Sequence, residues 1–331
     1  MKTRRTLGVT LSLVALALCI LASVAFGAKT VGIKSVLAAF GLGDGTSFDV
    51  SVVQARFPRT IFGIIAGAAL AVSGGLMQSL TRNPIADPSI LGVNTGASLF
   101  VVVGIAFFHI GLKWQYIGLA LAGAAITAIF VYGLASMGGG GATPIKLALA
   151  GAATSIALLS LVNAIMLPNS NILDQFRFWQ TGSIGGATWQ DIGYFLPFLS
   201  AGFIIAVCIA PSLNALALGD DVATGLGTNV VLVRGLAALA GVILCGTTTA
   251  LAGPIAFVGL MIPHFMRLLM GPDMKWIIPM SAIGGACLLL VSDVIGRVLG
   301  GNREINVGIV TAVIGAPVFV FIVRRVKVKS L

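Results

Sequence analysis

The sequence is short of charge. Asp, Glu, Lys and Arg make up only 9% of its 331 residues, against 58% hydrophobic, and the mean hydropathy is +1.07. A water-soluble chain of this length needs a far more charged surface, so a soluble globular enzyme is excluded. Histidine is almost missing: His109 and His264 are the only two, far apart in sequence, and each reads as a hydrogen-bonding residue and not a ligand. The four cysteines (Cys19, Cys208, Cys245, Cys287) sit singly in apolar runs with no metal-ligand spacing, which removes a zinc site or a disulfide framework. No Gly-Lys-Ser or Gly-Lys-Thr occurs, and "GAKT" at 27–30 is at most half a phosphate loop, so ATP is not held by that route. No nucleophile–base pair or catalytic carboxylate pair stands out, so neither catalytic residues nor a resident metal or cofactor is expected.

What is present is apolar length. Stretches of about 18 or more apolar residues recur along the chain, the mark of helices that cross a bilayer. The fold class is therefore an all-α polytopic membrane protein. Runs between polar breaks give about ten spans, near 7–26, 57–79, 89–108, 115–136, 144–167, 191–211, 229–250, 253–270, 275–297 and 306–323. The eighth is broken by Gly253-Pro254, Pro263 and Gly271-Pro272, and such a segment survives only where protein or a wet cavity satisfies the freed backbone. The first resembles a signal peptide, but its apolar part is long enough to span and reads as an uncleaved helix. The whole chain, 1–331, reads as one transmembrane domain.

The net charge of +10 is spread singly over loops and ends, which fits membrane topology and not nucleic acid. Lys2, Arg4 and Arg5 open the chain and "RRVKVK" (324–329) closes it, so the positive-inside rule puts both termini in the cytoplasm and requires an even number of spans. That alternation places Arg56 and Arg59 outside, with Arg297. Arg56 and Arg59 flank Pro58, and on a helix starting near this proline they share one face at its mouth. Arginine binds carboxylates through a two-pronged fork, which suits docking of an acidic partner; the competing reading is anchoring at lipid headgroups.

Small residues recur at four-residue spacing in Gly63, Gly67, Ala71, Gly75, in Ala237, Gly241, Cys245, Thr249 and in Gly308, Ala312, Ala316. Such ladders let helices approach closely in lipid and put the second span well inside the bundle. Two loops, 28–55 and 168–190, are long enough for short helices; the second carries Phe176, Phe178, Trp179 and Trp189, read as an interfacial belt ahead of ligand contact. Span interiors are nearly free of charge, which argues against an ion-coupled carrier, because such carriers keep ionisable groups in the membrane. Nothing resembles a channel filter. The inner loop about 213–229 is long, and "DDVATGLG" opens a short helix with Asp220 or Asp221 near its N-terminus and Gly227 past its end. Presenting Leu218, Ala223 and Leu226, it suits a groove on a soluble partner.

The stretches "RFPRTIFGIIAGAALAVSGGLMQSLTRNPIADPSILGVNTGAS" (56–98), "ALALGDDVATGLG" (215–227), "GPIAFVGLMIPHFMRLL" (253–269), "LLLVSDVIGR" (288–297) and "EINVGIVTAVIGAPVFVFIV" (304–323) resemble, in order, the permease subunits of ABC importers for iron-siderophores, haem and cobalamin, the FecCD type. "EINVG" departs from the usual Glu-Leu-Pro-x-Gly. The resemblance implies a ten-helix type II importer permease in a bacterial cytoplasmic membrane. It also implies a second permease subunit, identical or not, two cytoplasmic ATPase subunits and an extracytoplasmic substrate-binding protein. It implies binding-protein docking by Arg56, Arg59 and Arg297, ATPase coupling by Leu218, Gly219, Asp220, Ala223, Leu226 and Gly227, and an inner gate at Gly141, Ala142, Thr143 and Pro144 before a pathway-lining fifth helix. The cargo expected is a metal chelate, foremost a ferric siderophore. The alternatives are haem or cobalamin and, from a different class, an ion-coupled secondary carrier.

Overall fold

The computed structural model describes residues 2–27, 31–32, 38–39, 48–138, 142–301 and 303–325. These form twelve α-helices: α1 (Lys2–Ala25), α2 (Phe48–Leu80), α3 (Val93–Phe108), α4 (Lys113–Ser136), α5 (Pro144–Met166), α6 (Ser170–Gln180), α7 (Trp189–Leu216), α8 (Asp220–Gly225), α9 (Val230–Ala252), α10 (Val258–Met270), α11 (Met274–Gly300) and α12 (Val307–Arg325). Seven are long and apolar enough to cross a membrane, namely α1, α2, α4, α5, α7, α9 and α11, while α3, α10 and the Val307–Phe321 part of α12 are shorter apolar helices. Each expected span holds one of these ten; α6 and α8 are short helices in the connections.

The second span departs from expectation at its start. The helix does not begin at Pro58 but at Phe48, and it runs through the proline for 33 residues. That is about 50 Å at 1.5 Å per residue, well beyond the ~30 Å hydrocarbon core. Pro58 removes only the N–H bond to the Gln54 carbonyl, and Arg56 and Arg59 are carried inside the helix instead of at its mouth. From Arg59 to Leu80 the helix rises about 32 Å, one bilayer core, so α2 separates two ends of the molecule by that thickness.

Of the long apolar helices α2 is the most deeply buried, packed chiefly on α11, α9 and α10. In lipid this packing replaces the hydrophobic effect and depends on close backbone approach. A methyl on Gly67 would lie 2.3 Å from the Gly285 carbonyl oxygen of α11, and one on Gly74 only 1.9 Å from that of Gly259 in α10. Ser73 Oγ, on the same helix, donates to the Gly241 carbonyl of α9 at 2.7 Å. The third small-residue ladder is corrected: α12 turns Gly308, Thr311 and Gly315 inward, with Gly315 against Phe257, and leaves Ala316 exposed.

The broken eighth span is satisfied by protein. Between α9 and α10 the Ala252 carbonyl accepts from Ser183 N at 2.7 Å, and Gly308 N donates to the Gly182 carbonyl at 3.0 Å. The 181–185 loop thereby plugs the break and joins it to the start of α12.

Candidate functional site

One charged cluster forms at the Arg59 end. Arg56 and Arg59 on α2, and Asp293 and Arg297 four apart on α11, project from neighbouring helices, and Glu304 reaches in from the loop before α12. Arg59 binds Asp293 through two nitrogens, Nε to Oδ1 at 3.1 Å and Nη2 to Oδ1 at 2.8 Å, while its Nη1 donates to Glu304 Oε2 at 2.7 Å. Arg297 Nε lies 3.0 Å from Asp293 Oδ2, and its Nη2 donates to the Ser23 carbonyl at 3.0 Å. Arg56 Nη1 donates to the carbonyls of Val24 at 2.8 Å and Ala25 at 3.1 Å, the last turn of α1. Cations suit that position, where helix carbonyls lack partners and the dipole is negative. Ser23 Oγ also lies 2.9 Å from Thr60 Oγ1, so α1, α2 and α11 are tied at one point.

The three arginines therefore meet, but not as an open basic patch. Arg56 is 8% exposed and Arg297 2%, with Asp293 also 2%. Arg59 is 13% exposed and Glu304 41%. The physical reason is charge balance: three guanidiniums that have left water need carboxylates and carbonyls around them. Sequence reasoning left Asp293, Glu304 and Ser23 out of the site. The i,i+4 spacing of Asp293 and Arg297 in "SDVIGR" was a usable signal; nothing in the sequence pointed to Ser23.

The second cluster lies at the far end of α2. Gly219, at φ 118°, turns the chain into α8, and Leu226 closes it ahead of Gly227 at φ 81°. Asp220 opens α8, where a carboxylate suits the N-terminal dipole. It is bound by Arg82, just past α2, and by Arg234 Nη2 of α9 at 2.9 Å from Oδ2. Arg82 Nη2 donates as well to the Leu216 carbonyl, 2.9 Å away at the end of α7. The short helix is thus braced to three long ones. Leu218, Val222 and Leu226, four residues apart, are all exposed, whereas Ala223 is fully buried. The expectation that Ala223 faces a partner is corrected: it packs beneath α8, and Val222 stands outward in its place.

Of the expected gate residues, Gly141 lies outside the described residues. Ala142 is buried, the Thr143 hydroxyl caps α5 by accepting from Lys146 N at 3.4 Å, and Pro144 takes the first helical position. The α5 helix buries one stripe (Leu147, Gly151, Thr154, Val162) and exposes Leu149, Ile156, Leu159 and Leu161 on the rest. In the 168–190 loop, Phe176 is core and Trp179 packs against it, so only Phe178 and Trp189 face outward as a belt or a ligand would need. No group of three or more His, Cys, Asp or Glu side chains that could hold a metal occurs among the described residues.

Comparison with known proteins gives a consistent picture. Residues 15–325 match the FecCD transport family. The chain is 44% identical to the ferric enterobactin transport system permease protein FepD of Escherichia coli (strain K12), over 92% of this chain and 90% of the relative. It is 42% identical to the Fe(3+)-citrate import system permease protein YfmD of Bacillus subtilis (strain 168), covering 90% and 89%. It is 39% identical to the iron(3+)-hydroxamate import system permease protein FhuB of the same bacterium, covering 98% and 85%. A solved metal-chelate type ABC transporter in an inward-facing conformation superposes with a TM-score of 0.84 at 25% identity, covering 97% of this chain and all of that one. A multi-pass bundle, the unbroken match from α1 to α12 and relatives that are transport permeases leave one assignment: this chain belongs to the FecCD transport family.

Proposed function

We propose that this chain is the membrane-spanning permease subunit of an ATP-driven importer of a ferric chelate, in the cytoplasmic membrane of a bacterium with both termini inside. The observation that carries the reading is the end-to-end likeness to permeases whose cargoes are all iron chelates. The partners are a second permease subunit, two ATPase subunits and an extracytoplasmic binding protein. The wide uncovered face of α5 supports a second subunit across a shared pathway, because a helix with one buried stripe needs another surface beside it. Ala142, Thr143 and Pro144, together with Gly141, form the inner gate at the mouth of α5.

The exposed row Leu218, Val222 and Leu226 receives the ATPase stroke, with Gly219, Asp220 and Gly227 setting the angle of α8 and Ala223 seating it. A short amphipathic helix in a groove is a common recognition mode. Its bracing by Arg82 and Arg234 gives a push on α8 a path into α2, α7 and α9. At the other end, Arg56, Arg59 and Arg297 dock acidic residues of the binding protein. Arg59 supplies the contact, and the two buried arginines keep the cluster net positive, which steers an acidic partner.

The cargo is tested by uptake of radioactive iron as ferric catecholate, ferric hydroxamate and ferric citrate, beside labelled haem and cobalamin, through the importer assembled with each candidate's binding protein. One of the ferric chelates is expected to be taken up, and haem and cobalamin are not. Uptake of cobalamin or haem with none of the ferric chelates would overturn the cargo assignment and leave the permease fold untouched.

A further inference from the structure

Within the rim cluster the two carboxylates differ in kind. Asp293 is fixed: it sits in the middle of α11's last turns, is 2% exposed and is shared between Arg59 and Arg297. Glu304 is not: it stands on the α11–α12 connection, is 41% exposed and meets Arg59 through Nη1 alone, at 2.7 Å. Gly185 of the 181–185 loop also approaches Arg59. A methyl on Gly185 would fall 3.3 Å from Nη1, so the backbone there lies close against the guanidinium. Arg59 Nη1 is thus paired with a carboxylate that is surface-exposed and loop-borne.

We propose that Glu304 is an internal stand-in for the carboxylate of the docking protein, and that docking exchanges one for the other at Arg59 Nη1. The inference rests on the docking role given above to Arg59. The exchange keeps Arg59 paired in both states, so its guanidinium never has to be half-buried and unsatisfied. It also makes docking weak by construction, because one exposed ion pair is broken for each one formed. Reversible release suits a binding protein that must leave after delivering its cargo. Asp293 holds the guanidinium plane throughout, so the incoming carboxylate meets a pre-set fork.

Binding of the cognate binding protein to the purified permease–ATPase complex, at low salt, tests this with Glu304→Gln, Arg59→Gln and the double variant. Glu304→Gln is isosteric and cannot compete as an anion, so docking should tighten about two- to fivefold, the range of an exposed ion pair. In the Arg59→Gln background the same change should give a ratio of about one, because the two effects share one contact. Glu304→Asp separates contact from charge: its shorter arm should also tighten docking if the contact matters. The thermal midpoint of each variant shows that it is folded. Equal tightening in both backgrounds would mean a general field effect and overturn the exchange. So would Arg59-dependent docking that Glu304→Gln leaves at the wild-type value. Wild-type docking by Arg59→Gln would instead remove the docking reading, and the exchange with it.

Discussion

Asp293→Asn is expected to remove about 3–5 kcal/mol of stability, the loss typical when a buried ion pair keeps only one side. The carboxylate is almost wholly buried and lies between Arg59 and Arg297, which in turn reach Glu304 and the end of α1. Asparagine preserves shape and one acceptor oxygen but leaves two guanidiniums facing an uncharged amide in an almost wholly buried site. The measurement is the thermal unfolding midpoint in detergent and the yield of monodisperse protein. A paired replacement, Asp293→Leu with Arg297→Leu, should recover part of the loss, since no lone charge stays buried at the α11 positions. A wild-type midpoint for Asp293→Asn would show that the cluster does not hold α1, α2 and α11 together.

The second large effect is functional. Val222→Asp combined with Leu226→Asp is expected to cut ATP-driven uptake more than tenfold while the permease still inserts and unfolds at the wild-type temperature. Each apolar side chain seated in a partner groove contributes about 1.5–3 kcal/mol, and the variant replaces two of them with carboxylates that would have to be desolvated. Both side chains are exposed, so the change leaves the chain's own core intact. Uptake, and stimulation of ATP hydrolysis by the loaded binding protein, are read in the same proteoliposomes. Ala223 and Gly219 make poor probes of coupling: the first is fully buried, and the second holds a φ of 118° that disfavours a side chain. Undiminished uptake by the double variant would place the coupling surface elsewhere.

Hydropathy made the ten apolar helices legible, because span length and polar breaks are local properties of the chain. The ladder through Gly63 and Gly67 was legible for the same reason, and it marked the face of α2 that meets α11. The start of α2 was not. A proline with a following apolar run reads as a first helical turn, yet the outermost turns can lose one backbone bond to solvent and continue, so the helix extends back to Phe48. The exposed side of α8 was hidden because six residues carry too little periodicity to choose between Val222 and Ala223. The rim cluster shows the deepest limit. Arg56 and Arg59 could be singled out by their spacing, but their partners come from distant positions: Asp293, 234 residues beyond Arg59, and the Val24 carbonyl, 32 residues before Arg56. Burial of all three guanidiniums follows from those long-range closures, which composition and spacing do not contain.

Uptake of a ferric chelate into proteoliposomes holding this permease, measured with and without the ATPase subunits, the binding protein, ATP and an imposed proton gradient, separates an ATP-driven importer subunit from a self-sufficient carrier. Accumulation is expected only when the ATPase, ATP and the loaded binding protein are all present, with no response to the gradient. Accumulation driven by the gradient in liposomes that contain this chain alone would contradict the importer-subunit assignment.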